Sequence, residues 1–222
     1  MIKRKAIIDD GCNPELVRGA EFDGIMEIPI IKAPKEIIIP SGIIPFSQIH
    51  KATDFNNAIG FYEMDVNFGI LLQQPEIFVN SFLKFKALIT PDCSLYRNAP
   101  LAVQIINTYR NRAIGRYYQS NGAYVIPQIR WGSEETYTTK VLPEKIAFLG
   151  VEKNSIVAIG TYGCIRGKEN KYYFSAGLEA MLESLTPKVV LVYGPMPETV
   201  FGIFQKYTNF YQYDDWTTAR HK

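Results

Sequence analysis

The chain reads as an α/β protein: one domain built on a mostly parallel sheet of five or six βα units. The sheet is expected to be open, or curled toward an incompletely closed barrel, behind an irregular, proline-rich N-terminal arm. Three observations predict this. The strand-forming runs KALITPD, VIPQIRWG, SIVAIGTYG and KVVLVYG are near-continuous in apolar residues, as in strands covered on both faces. Strand ends recur about every 30 residues, the length of a β-α-β unit, which makes neighbouring strands parallel. With 222 residues the chain falls short of the roughly 250 typical of a complete eight-unit barrel.

Taken in order, residues 1–57 form the arm and an extended packing segment, and residues 58–222 the α/β body. Met1 to Asp23 is irregular and polar. Gly24 to Pro45 is apolar but interrupted by Pro29, Pro34, Pro40 and Pro45, which demotes it to an edge strand or extended coil packed against the sheet. Ile59 to Asp65 is a short apolar run ending in a carboxylate. Pro75 to Phe85 has helical spacing opened by a proline. KALITPD stops at Pro91 and Asp92.

A long helix is expected from Pro100 to about Ser120, with Ala102, Ile105, Ile106, Tyr109, Ala113 and Tyr117 on its apolar stripe. Its Arg110 and Arg112 project about 200° apart and read as a solvated basic face. VIPQIRWG is the next strand, and a short helix is expected around Lys145 to Leu149. SIVAIGTYG, a helix from about Glu169 to Leu185, KVVLVYG, a helix in ETVFGIFQKY and a short strand FYQY complete the body.

Composition excludes several functions. With 24 basic and 22 acidic residues, the net charge of +2 offers no electrostatic footprint for duplex nucleic acid, so any such contact would be local. Cys12, Cys93 and Cys164 are odd in number and include no CxxC pair, which argues against a disulfide framework or a structural zinc site. With His50 and His221 the only histidines, a histidine-based triad or metal site lacks partners. The start, MIKRKAIIDDG, has no signal-peptide core, and no apolar run reaches the 18 to 20 or so residues of a membrane span. The expected compartment is the cytoplasm. Oligomeric state is not written in the sequence.

In parallel α/β folds ligands bind at the carboxyl ends of the strands, where loops and helix N-termini converge. That edge selects the candidate residues. Asp65 and Asp92 are the candidate catalytic pair, able to share acid and base roles or to hold a divalent metal such as magnesium, although no ligand spacing requires a metal. The plainer reading has Asp92 and Ser94 capping the following helix and Asp65 closing a turn. Candidate ligand-binding residues are Ser94, Tyr96, Arg130, Trp131, Gly163, Arg166, Tyr193 and Gly194. Arg130, Trp131 and Gly132 together offer a cation, a stacking face and a flexible turn, a set suited to a phosphate, a carboxylate or a flat base. Arg130 paired with a local glutamate beneath a core tryptophan is the competing reading. GTYGCIRGK lacks the spacing of a phosphate loop, and Cys164, without a nearby histidine in sequence, reads as a small apolar residue.

The blocks TPDCSLYRNAPLAVQIINTYRNRAIG, VIPQIRWG, GTYGCIRGKEN and VVLVYGPMP, in this order, closely resemble the family catalogued as domain of unknown function 4417, whose members carry similar SPDFSLY, NTYRNRAIG, VIP-x-x-RWG, THGC and VYG blocks. The resemblance runs from about Ala58 to Phe204. It implies a protein of phages, plasmids and integrated elements of Firmicutes and other gut bacteria, and it carries over no catalytic residues. Where relatives often have histidine in the THGC block this chain has Tyr162, which puts a histidine mechanism at that strand end in doubt.

The sequence thus leads to a mobile-element protein with a strand-end pocket for a small anionic or nucleotide-like ligand, whether or not it acts on that ligand as an enzyme. The alternative is a non-catalytic interaction protein, such as an accessory factor in replication or host takeover.

Overall fold

The structure is a computed structural model that describes residues 13–219; the start of the arm, Cys12 and His221 lie outside them. A small antiparallel pair, β1 (Phe22–Asp23) and β2 (Ile28–Pro29), precedes seven parallel strands. These are β3 (Ile43–Pro45), β4 (Ala58–Gly60), β5 (Ala87–Ile89), β6 (Val125–Ile126), β7 (Ile156–Gly160), β8 (Val189–Tyr193) and β9 (Asn209–Tyr213). β3 to β6 form one sheet and β7 to β9 another. A parallel bridge between Gln128 and Ala158 joins them, with Ile129 N–H donating to the Ala158 carbonyl at 2.7 Å and Ala158 N–H to that of Pro127 at 2.9 Å. The strands therefore lie side by side in chain order. The strand beyond the six expected runs, β3, comes from the proline-rich stretch and ends on Pro45, as suits an edge.

The sheet is curled. Tyr62, two residues past β4, stacks on Tyr193 at the end of β8 with ring centroids 4.3 Å apart and planes within 6°. Four inter-strand steps on a flat sheet would separate them by roughly 19 Å. Inward-facing Ala58, Ala87, Ile89, Ile126, Ile156, Ala158, Val189 and Leu191 share one cluster with Ile43 of β3 and Tyr213 of β9, the two outermost strands. Tyr213 hydroxyl donates to the Pro40 carbonyl at 2.7 Å, tying β9 to the chain just before β3. The Tyr124 hydroxyl meets Ile38 N–H and the Glu36 carbonyl, which fixes the rest of the proline-rich stretch against the residue that leads into β6.

The helices cover the outside. They are α1 (Ile70–Gln73), α2 (Val79–Phe82), α3 (Leu101–Ser120), α4 (Glu134–Tyr137), α5 (Gly167–Leu185), α6 (Glu198–Phe201) and α7 (Trp216–Ala219). Phe61, Phe82, Ala113, Ile114 and Tyr118 pack on the outer residues Ile59, Leu88 and Val125. Phe174, Leu178, Met181 and Leu182 of α5 pack on Val157, Ile159, Val190 and Val192. Period-two alternation within each strand divides the two sets. The helix expected over Pro75 to Phe85 is a 3-10 turn followed by the short α2, and the one expected near Lys145 is a 3-10 turn at Ile146–Phe148.

Two close approaches set helix positions. A side chain at Gly115 of α3 would meet Thr90 Cγ2 at 2.5 Å and Ile31 Cδ1 at 2.6 Å. One at Gly177 of α5 would collide with the Trp131 indole. Gly177→Val should lower stability by about 1–3 kcal/mol through overpacking, measured by urea denaturation; unchanged stability would mean that α5 does not seat against Trp131.

The long helix α3 corrects two expectations. Its buried residues include Gln104, Asn107, Thr108, Asn111, Arg112, Gly115 and Tyr118, whereas Ala102 is exposed. Arg112 is 2% exposed and no surface cation. The apolar stripe misled because this helix faces backbone carbonyls of strand ends and loops, and polar side chains satisfy those groups where apolar ones would leave them unpaired.

Candidate functional site

Past the carboxyl ends of β4 to β8 the inward alternation continues for a few residues and builds a polar mouth. Beyond β4 it delivers Tyr62, and beyond β6 it delivers Gln128 and Arg130, while Ile129 and Trp131 turn outward. Within β7 the inward residues shrink from Ile156 through Ala158 to Gly160, which makes room for the Tyr62 ring. A side chain at Gly160 would meet Tyr62 Cε1 at 2.9 Å and stand 3.9 Å from Asp92 Oδ2. Arg130 Nη1 donates to Asp92 Oδ2 at 2.6 Å and Gln128 Nε2 to Asp92 Oδ1 at 2.7 Å. The Arg130 and Asp92 side chains are 23% and 12% exposed.

Asp65 stands beside this pair. It accepts from Ser94 N–H at 3.0 Å and from Ser94 Oγ at 2.8 Å, joining the loops after β4 and β5. Burial pushes the Asp92 carboxyl above its ordinary range, with Arg130 opposing and Asp65 adding to the rise. Asp92, in turn, is the main reason the Arg130 guanidinium is held still more firmly protonated. Burial raises the Cys164 thiol, against the pull of Arg130, so this cysteine is no activated thiolate. Among the described residues no group of three or more His, Cys, Asp or Glu side chains is placed to hold a metal ion.

Two partly or wholly buried phenols, Tyr62 and Tyr193, stack at the mouth, and a third, Tyr213, reaches the Pro40 carbonyl. Burial, followed by the charge of Asp92, raises Tyr62 well above the ordinary value, and burial pushes Tyr193 and Tyr213 up to about 12. A phenol whose folded value is raised contributes stability that is complete below about pH 10 and is lost as pH rises through the folded value. An absorbance titration at 295 nm should therefore show a class of tyrosines ionising above pH 11, together with loss of structure. A single class centred near pH 10 would contradict this burial.

A buried network holds the mouth from behind. Arg112 donates to the carbonyls of Leu149 (2.9 Å), Gln128 (2.9 Å) and Ala147 (3.0 Å), and to Asn111 Oδ1. Asn111 Nδ2 reaches the Pro91 carbonyl at 2.6 Å and its Oδ1 accepts from Thr90 Oγ1 at 2.9 Å. Thr90 Oγ1 accepts from Gln128 N–H at 2.8 Å. The strand ends carrying Asp92 and Arg130 are thus clamped to α3.

Of the residues expected from sequence, Asp92, Arg130 and Tyr193 meet at the mouth, with Asp65 and Ser94 adjoining. Asp92 and Ser94 do not cap α3, whose N-cap is Pro100. Trp131 lies on the outer face against Phe174, centroids 5.1 Å apart. Tyr96 is 62% exposed and lines a separate open cleft with Arg97, Glu134, Glu135, Glu169 and Tyr173. Gly163 and Arg166 belong to the exposed loop after β7, where Arg166 sits 5.9 Å from the Tyr162 ring. Gly194 has φ +109° and leaves no room for a side chain beside Thr161, so its part is to turn the backbone. Sequence reading missed Tyr62, Gln128, Asn111 and Arg112. Alternation continued past Gly60 and Ile126 was the available signal for the first two.

A family model described as domain of unknown function (DUF4417) matches residues 20–214. The chain belongs to this family. The match reaches beyond the Ala58 to Phe204 span of the motif resemblance and contains every residue of the mouth. Among curated proteins, this DUF4417 chain is 32% identical over 139 residues to the Gene 1 protein of Mycobacterium phage L5, covering 63% of this chain and 58% of that protein. It is 32% identical over 137 residues to the Gene 1 protein of Mycobacterium phage D29, covering 62% and 48%. The chain is thus a phage-type DUF4417 protein, and the matches span about half the length of these curated relatives. No solved structure matches it. Among the described residues no helix is long and apolar enough to cross a membrane.

Proposed function

We propose that this phage-type protein binds a small anionic ligand at the mouth of the curled sheet, with Arg130 as the anion-holding residue. One observation carries the reading. Arg130 is aligned by Asp92 at 2.6 Å, Asp92 is fixed from its other oxygen by Gln128, and the remaining guanidinium donors have no acceptor among the described residues. A guanidinium so held offers a planar fork to a phosphate or carboxylate at little further cost in side-chain entropy.

Asp92 is the group suited to accept or return a proton if the bound ligand reacts, because burial raises its carboxyl. Asp65, committed twice to Ser94, is a positioning residue. The test is calorimetric titration of the wild type and Arg130→Met with inorganic phosphate, pyrophosphate and thymidine 5′-monophosphate. Binding by the wild type and a loss of at least about tenfold in the variant are expected from removal of a charge-assisted hydrogen bond. Equal binding by both proteins would place the anion elsewhere, and no binding by either would refute the reading.

A further inference from the structure

The Tyr62 hydroxyl is buried and has no hydrogen-bond partner among the described residues. Buried hydroxyls are nearly always bonded, and leaving one unbonded costs free energy, so this exception has to be accounted for. Its surroundings point to a use. The Tyr62 ring is fixed by stacking on Tyr193, and the Tyr193 hydroxyl is already engaged by the Trp216 N–H at 2.7 Å. A side chain at Gly160 would press on Tyr62 Cε1 at 2.9 Å and stand 3.9 Å from Asp92 Oδ2, so the glycine lets the phenol ring lie against β7 on the side of Asp92. Asp92 and Arg130 lie close enough for their charges to act on the phenol.

We infer that the Tyr62 hydroxyl is a second donor to the ligand's anionic group, beside Arg130, and that the mouth takes a compact oxyanion and no nucleobase. The inference rests on the reading of the mouth as an anion site and names the kind of group it accepts. The two tyrosine rings are stacked face to face at 4.3 Å, which is the separation of touching aromatic planes, so no base fits between them. The phenol oxygen has almost no accessible area, so a ligand group meets it only when a neighbouring side chain moves aside, which favours a group as small as one phosphate or carboxylate. A neutral phenol donates to such an oxygen without adding charge, while Asp92 and Asp65 keep the mouth from attracting anions indiscriminately.

The test compares Tyr62→Phe, Arg130→Met and wild type, with inorganic phosphate, pyrophosphate, thymidine 5′-monophosphate and thymidine as probes, and with thermal unfolding of each free protein. In Tyr62→Phe, affinity for the phosphate-bearing probes should fall about tenfold, while the unfolding midpoint stays at or above the wild-type value because an unpaired polar atom has been removed. Thymidine should not bind any of the three. If Tyr62→Phe binds as well as wild type while Arg130→Met loses binding, the anion site stands and the role of Tyr62 falls. A clear drop in the Tyr62→Phe midpoint would show that the hydroxyl is bonded in the free protein, through a buried water for example, and would overturn the inference whatever the binding result. Thymidine binding as tightly as its monophosphate would overturn the exclusion of a base. A wild type that binds no probe overturns both readings.

Discussion

Arg112→Met is expected to destabilise the protein by about 3–5 kcal/mol, lowering the thermal midpoint by roughly 10 °C. The side chain is 2% exposed, and its removal orphans the carbonyls of Ala147 and Leu149 and takes one of two donors from the Gln128 carbonyl and from Asn111 Oδ1. No carboxylate shares this site among the described hydrogen bonds, and burial pulls the guanidinium down to about 10, which still leaves it charged at neutral pH. Part of the loss is offset because a buried charge no longer has to be desolvated. Arg112→Lys should recover little, since one ammonium cannot span acceptors contributed by four separate residues. Differential scanning calorimetry of the two variants checks this, and a shift below about 2 °C for Arg112→Met would remove the network from any account of stability.

Asp92→Ala should cost about 3 kcal/mol, because it leaves the largely buried Arg130 without its counter-charge. The double variant Asp92→Ala, Arg130→Met should be more stable than Asp92→Ala alone, as the stranded cation is then gone. Urea unfolding of the wild type, both single variants and the double variant closes the cycle, with a coupling of about 1–3 kcal/mol expected for partners in direct contact. Additive losses would show that Arg130 turns out to solvent when its partner is removed, a possibility that its 23% exposure makes worth measuring.

The strands were legible because a parallel strand covered on both faces must be apolar along its whole length, and KVVLVYG and SIVAIGTYG could be little else. Their order and the curl were not, since pairing partners leave no trace in a run of valines and isoleucines. The strand-end rule led to Asp92 and Arg130 without any motif. It also selected Trp131, which alternation turns outward, and Tyr96, which lies beyond the last inward position. The polar buried face of α3 was the least readable element. Asn111 and Arg112 look like surface residues until the carbonyls of Pro91, Ala147, Leu149 and Gln128 are seen opposite them.

Strands laid side by side in chain order have a consequence for synthesis. Each strand emerging from the ribosome finds its neighbour already made, so most pairing is local and fast. Closure is different, since Tyr62 must wait for Tyr193, about 130 residues downstream. A nascent chain stalled before β8 would lack the ring on which Tyr62 stacks, so the mouth would close only late in the growth of the polypeptide.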